Sequence, residues 1–347
     1  MDQHHQFLRV VENSNRCVAL VLVTIILMAA TLAVLPFLTE RLQASDQKKQ
    51  DGPVQKSAEI PSFWAPPDSL SIPQTPEGDL IRYGRELVAH TALYLGPKGK
   101  VMQISNGMNC QNCHLSGGTV PWGNNYGAVF STFPKFRARS GGLETIPKRV
   151  NDCIQRSLNG QPIDSNGKEM KAIIAYMKWL GDGVPKDTIP KGSGIMNIPY
   201  LDRPADPQNG KMVYMNKCQR CHGANGQGQR KDEHLYEYPP LWGERSYNTA
   251  AGLYRISRFA GFVKNNMPFG EVEYHNPQLT NEEAWDVAAF VNSQPRPSKI
   301  FKEDWPDISK KPIDHPFGPF ADGFTEEQHK YGPFKPIVEA RKTKQGK

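Results

Sequence analysis

Apolar residues recur along this chain in two distinct patterns. Residues 17–38 (CVALVLVTIILMAATLAVLPFL) carry no charge and follow Arg9 and Arg16. The run has about the 20 residues that span a bilayer and exceeds the roughly 7–15 of a signal peptide's apolar core. Only a poor cleavage site, Leu42-Gln43-Ala44, follows it. An uncleaved anchor is therefore expected, with a cleaved signal as the alternative, and in both cases the remainder is exported. Beyond it the period is helical. Residues 77–95 place Leu80, Tyr83, Gly84, Leu87, Thr91 and Leu95 on one stripe. Asn166 and Glu169 resemble a capping box opening a helix whose face carries Met170, Ile173, Ile174, Met177 and Leu180, ending at Gly181-Asp182-Gly183. The same plan then returns. A short helical piece from Gly210 to Lys217 precedes a second capping box, Thr280 with Glu283, whose helix carries Ala284, Val287, Ala288 and Val291 until Pro295. Gly84 and Gly210 each lie in the first helix of a unit, where a missing side chain would let the last helix cross closely.

The chain thus divides into a cytoplasmic N-terminus (1–16), the apolar span (17–38), a polar, Pro-rich connector (39–75), two mainly α units (76–184 and 207–297), a Pro/Gly-punctuated linker (185–206) and a basic tail (298–347), expected to be irregular and partly wrapped on the units. Its 29 prolines and 30 glycines in 347 residues suit small, loop-rich domains. The net charge of +7 comes without a lysine-rich run or a nucleic-acid motif, so nucleic acid is not an expected partner. A small anion or an acidic redox partner fits that charge.

Six cysteines give the pattern a chemistry. Cys17 lies inside the apolar span as a small hydrophobe. Four others form Cys110-Gln111-Asn112-Cys113-His114 and Cys218-Gln219-Arg220-Cys221-His222, each a C-x-x-C-H. Two thiols on one helical turn reach the two vinyl groups of a porphyrin, and the following imidazole meets the iron. A zinc ribbon would place its Cys pairs about 15–20 residues apart, far closer than these. A disulfide framework suits the repeated His less well. Two covalently bound c-type haems follow, and the expected fold is mainly α: two tandem class I cytochrome c domains with an N-terminal transmembrane helix.

The opposite face of each haem needs its own ligand. For the second, Met267 in Asn265-Asn266-Met267-Pro268-Phe269-Gly270 lies ahead of the last helix, as a distal loop requires; a core methionine is the alternative. The corresponding loop of the first unit has no Met-Pro, and Met170 and Met177 belong to a core stripe. It holds Cys153, expected to ligate as thiolate. A buried structural thiol and an intermolecular disulfide are the other readings. Thiolate lowers an iron's potential relative to thioether, so one haem would be low-potential and reactive, the other a passive relay. Around Cys153 stand Lys135, Arg137, Arg139, Lys148, Arg149 and Arg156 against only Glu144 and Asp152. Each arginine is read as a sulfonate-binding fork, a haem-carboxylate partner or a solvated charge.

Taken together, Cys110 to Leu115, Phe133-Pro134-Lys135-Phe136-Arg137-Ala138-Arg139-Ser140-Gly141, Arg149 to Gly160 and Asn266-Met267-Pro268 resemble the dihaem thiosulfate dehydrogenase/tetrathionate reductase family, over roughly residues 60–297. The resemblance implies the reaction 2 S2O3(2−) = S4O6(2−) + 2 e− in the periplasm, anchored at the inner membrane or soluble if the leader is cleaved. It makes Cys153 the catalytic ligand, with Arg137, Arg139 and Ser157 near the substrate, and a periplasmic or membrane cytochrome the electron partner. Some members carry a lysine immediately before the methionine; Asn266 stands here, so plain His/Met ligation is expected. Direction stays open, since members differ in it. Two other functions stand beside this one: a membrane-tethered electron shuttle without a substrate, and an enzyme joining thiosulfate to a carrier protein.

Overall fold

A computed structural model describes residues 63–345. The expected anchor at 17–38 lies outside the described residues, among which no helix is long and apolar enough to cross a membrane. Pro61–Lys347 forms one compact unit containing two hydrophobic cores.

Each core is built on one helix crossing. In the first, α1 (Pro76–Ala89) starts with Thr75 accepting the Gly78 N–H and a proline at its first position. The last helix of this half, Lys168–Leu180, crosses it at Gly84, where a Cβ would stand 1.9 Å from the Ala172 carbonyl oxygen. In the second, Pro207–Lys217 meets Asn281–Ser293 at Gly210, and a Cβ there would stand 1.9 Å from the Asp286 carbonyl oxygen. Both glycines do what the repeated pattern requires of them. The helices between are α2 (Ile146–Arg156) in the first half and Ile256–Asn266 in the second. A two-stranded antiparallel ribbon, β1 (Lys135–Arg137) with β2 (Gly142–Glu144), leads into α2. In chain order the crossing helices are α3 (Lys168–Leu180), α4 (Pro207–Lys217) and α6 (Asn281–Ser293), with α5 the Ile256–Asn266 helix.

Several expectations need correction. The 77–95 stripe is two helices broken at His90, the second being Thr91–Leu95. Its buried face centres on Ile81, Gly84, Leu87 and Val88, while Leu80 and Tyr83 lie at the margin. No capping box opens α3: Gly167 is its N-cap, Asp164 takes the Asn166 N–H, and Glu169 accepts from the Tyr83 hydroxyl at 3.1 Å. The box at Thr280 and Glu283 is present in both directions. The connector's last part is packed, since Trp64 and Ile72 are buried in the first core. The linker 185–206 has no helix or strand, yet Ile195, Ile198, Tyr200 and Leu201 pack on the second core.

The tail departs furthest from the irregular segment expected of it. It forms α7 (Glu326–Tyr331) and α8 (Lys335–Gln345), and Phe334 and Ile337 enter the second core, with Phe334 against the rings of Tyr200 and Trp285. Asp314, 1% exposed, clamps it to α5 through Arg255 and the Ser257 backbone and hydroxyl. Burial alone would raise the Asp314 carboxyl; Arg255 and Ser257 outweigh it and hold the group below the usual carboxylate range.

The crossings generate a direct expectation. Gly84→Ala or Gly210→Ala forces two backbones apart and destabilises its half by about 1–3 kcal/mol, read as a lower denaturant midpoint of the haem-loaded protein. An unchanged midpoint would contradict the close crossing.

Candidate catalytic centre

The haem-attachment residues come first, because everything else is arranged around them. Cys110 and Cys113 bracket one 3-10 turn (Cys110–Asn112), and Cys221 and His222 lie on a short helical turn (Gln219–His222) entered from Cys218. Neither these four cysteines nor Cys153 is joined in a disulfide among the described residues. His114 Nδ1 lies 2.5 Å from the Asn124 carbonyl oxygen, and His222 Nδ1 2.9 Å from that of Pro239. A carbonyl can only accept, so each Nδ1 carries the proton and each Nε2 keeps its lone pair for a metal. Burial lowers both imidazoles, His114 to about 4, which keeps them neutral. Tyr126 stacks on the His114 ring at 4.4 Å. Gly118 (φ +84°) makes room for it: a Cβ there would stand 2.1 Å from the Tyr126 ring. Trp122 Nε1 and Arg296 Nε are buried donors without partners among the described residues, suited to the carboxylates of a haem. The residues present fit two c-type haems, and among the described residues no group of three His, Cys, Asp or Glu converges as a metal site of its own.

Cys153 is on a helix and not in a loop. The Thr145 side chain accepts the Lys148 N–H and Pro147 occupies the first turn, an N-terminal signature that places α2 over residues 146–156. Helical spacing then sets Arg149, Cys153 and Ser157 four residues apart on one face. The Cys153 thiol lies close to the first attachment site. Burial first, and then the charge of Cys153, push the Cys113 thiol up to about 12. Arg149 is held above its ordinary value, first by the charge of Cys153, which puts the guanidinium beside the thiol. Arg149 is the residue whose part was missed; its i, i+4 relation to Cys153 was the available signal.

The other arginines separate by what they meet. Arg137, on β1, lies with its Nε 3.7 Å from Glu144, a carboxylate 1% exposed that also accepts from Ser140. Burial and then Arg149 lower its pKa, while Glu144 and Cys153 raise it, so Arg137 belongs to the Cys153 group. Neither Arg137 nor Arg149 hydrogen-bonds through its guanidinium to any described residue. Ser157 caps α2, its N–H donating to the Cys153 carbonyl at 2.8 Å, and its side chain is half-buried. Arg156 is on another face and is taken: it is 5% exposed, pairs with both Asp304 oxygens at 2.6 and 2.8 Å, and lies over Phe301 at 3.8 Å. Arg139 faces the tail, over the Trp305 ring at 5.7 Å. Among its charged neighbours are Arg149, Arg156, Asp304 and Arg137.

The C-terminal end of α2 is held from outside its own half. The Asn248 N–H donates to the Arg156 carbonyl (3.1 Å), and its side chain bonds Gln155 O and Asn159 Oδ1, both at 2.9 Å. Lys299 Nζ reaches Gln155 O and Gly160 O at 3.4 and 3.3 Å. These donors satisfy carbonyls that a helix end leaves open, with a cation at the negative pole. In the second half, Met267 directly follows α5 and lies half-buried against the core that also holds Cys218. Asn266 is fixed beside it, its Nδ2 donating to Trp122 O (3.2 Å) and Phe262 O (2.9 Å).

Comparison with known proteins finds two cytochrome c domains in the same order. Residues 100–185 match the SoxA/TsdA cytochrome c domain, and residues 207–295 match cytochrome c. The thiosulfate dehydrogenase of Psychrobacter arcticus is 37% identical over 247 residues, covering 69% of this chain and 71% of that protein. That of Allochromatium vinosum is 37% identical over 241 residues, covering 68% and 85%. The "as isolated" structure of thiosulfate dehydrogenase (TsdBA) from Marichromatium purpuratum superposes with a TM-score of 0.63 at 30% identity, covering 73% of this chain. This chain spans about half of that one (52%).

The Arg156–Asp304 pair ties the Cys153 helix to a segment beyond both matches. Asp304→Ala leaves a buried guanidinium uncompensated and costs about 3 kcal/mol, measured by denaturant unfolding of the haem-loaded protein. A variant with the wild-type midpoint would show that the clamp contributes nothing.

Proposed function

The chain belongs to the thiosulfate dehydrogenase family, dihaem cytochromes c acting as oxidoreductases on sulfur compounds, and from that membership we propose that it interconverts thiosulfate and tetrathionate at Cys153. In this reading His114 and Cys153 hold the first haem, and His222 and Met267 the second. The two haems, when bound, supply the one-electron acceptors through which two electrons per tetrathionate leave toward an external cytochrome. The reading extends to location: the catalytic part works in the periplasm, carried there by residues 17–38.

The observation that supports it is the stripe Arg149–Cys153–Ser157, with Arg137 beside it and two guanidiniums lacking hydrogen-bond partners. Both substrates are dianions whose sulfonate oxygens accept paired N–H donors. Arg149 and Arg137 bind those oxygens, the Ser157 hydroxyl adds a donor, and the terminal sulfur is presented to Cys153 Sγ. In the oxidative direction thiosulfate sulfur bonds to the Cys153 thiolate with loss of two electrons, giving Sγ–S–SO3−. A second thiosulfate attacks the outer sulfur of that bond, tetrathionate departs, and the thiolate returns. In the reductive direction the thiolate attacks the central S–S bond of tetrathionate and expels thiosulfate, an ordinary thiol–disulfide exchange. Arg149 serves both directions, because it lowers the cost of the thiolate that attacks and the thiolate that leaves.

Cys153→Ala, with both haems attached, should lose roughly a thousandfold in thiosulfate-dependent ferricyanide reduction. Turnover near wild type would sink the covalent route.

A further inference from the structure

Beneath the tail lies a cavity of about 200 Å3, walled by residues 299–319, by Arg139 and by residues 249–255 of the second half. Its charges do not balance. Asp304 is committed to Arg156, and Arg255 is committed to Asp314. Arg139, Lys299, Lys302 and Lys311 also line the cavity, and none has a carboxylate partner among the described residues. Lys299 and Lys311 donate to backbone carbonyls, which hold their ammonium groups in place without neutralising them. The Arg139 guanidinium makes no hydrogen bond to a described residue, and the Trp305 Nε1–H beside it is buried without an acceptor. Burial, then Arg149 and Arg156, push Arg139 down to about 10. His315 adds no charge at neutral pH, since burial and then Lys311 push it to about 3. Four unpaired cations and an idle N–H donor around one concavity describe a receptor for a compact, multiply charged oxyanion.

We propose that this cavity is an accessory site for a divalent sulfur oxyanion, holding a thiosulfate beside the Cys153 helix in addition to the one at the thiol. The identity of the anion rests on the thiosulfate reading of Cys153; the cationic site itself does not. The reaction consumes two thiosulfates in succession, and the second must arrive while the first is bonded to Sγ. Asp304 lines the cavity and grips Arg156, three residues from Cys153, so the cavity is tied to the helix that carries the thiol. Two thirds of the cavity's lining residues come from the tail, which lies beyond both cytochrome c matches at 100–185 and 207–295. A haem carboxylate is the other anion that could fill the same donors, and the test separates the two.

The experiment is equilibrium dialysis of the Cys153→Ala holoprotein, oxidised and with both haems attached, against 35S-thiosulfate at fixed ionic strength. Without the thiol, binding is read free of turnover. The expected result is a thiosulfate-binding class weakened about tenfold by Trp305→Phe, the loss of a charge-assisted contact. Lys302→Glu supplies the second arm: the residue is exposed, so the fold is spared, and the same class should weaken several-fold. Isotherms identical across parent and both variants would overturn the proposal, and a haem carboxylate in the cavity would give that result. Failure here leaves the Cys153 reading standing, and loss of the Cys153 route leaves the binding result interpretable.

Discussion

A helix ends with carbonyls that need donors, and the one carrying Cys153 finds part of them in another domain. Asn248 supplies three hydrogen bonds to residues 155–159, and Lys299 of the tail supplies two more. On a neighbouring face Arg156 is gripped by Asp304. The Gln155 and Arg156 carbonyls, in the same turn as Cys153, are thus met by residues outside the first half. Such support from packing and outer hydrogen bonds is what holds a reactive group to a fixed geometry. The same contacts join the two halves and tie the tail to both.

Charge is sorted on that frame. A net charge of +7 read from composition says little, but the arginines around Cys153 have different fates. Arg137 and Arg149 stay with the thiol, hydrogen-bonded to nothing described, and so remain available to an anion. Arg156 is neutralised and structural. Arg139 turns toward the tail. The second half has no comparable cluster beside Met267: Asn266 is held by two carbonyls, a neutral and fixed neighbour. The asymmetry suits one reactive and one relaying centre.

Much of this was legible in residue order. C-x-x-C-H is a local motif, and its chemistry needs only one turn of chain. Gly84 and Gly210 were readable because a close crossing demands an absent side chain at a fixed place in each unit. Thr280 with Glu283 also acts within one turn. What escaped depended on distant partners. Asn166 looked like a cap until Asp164 took its N–H and Tyr83 claimed Glu169. Cys153 was assigned to a loop because the Thr145-Ile146-Pro147 start was overlooked, and with it the facing of Arg149. Arg139 and Arg156 could not be told apart from Arg137, since their roles are set by Trp305 and Asp304, far along the chain. The tail's proline content concealed Phe334 and Ile337, which gain their meaning only against Trp285 and Tyr200.

The central claim is that sulfur from Cys153 completes the coordination opposite His114. Electron paramagnetic resonance of the fully oxidised holoprotein tests it most directly. The account predicts two low-spin signals, one with the narrow anisotropy of histidine/thiolate ligation and one of histidine/methionine type, with Cys153→Ala abolishing only the first. Two signals that both lack thiolate character, unchanged in Cys153→Ala, would contradict it.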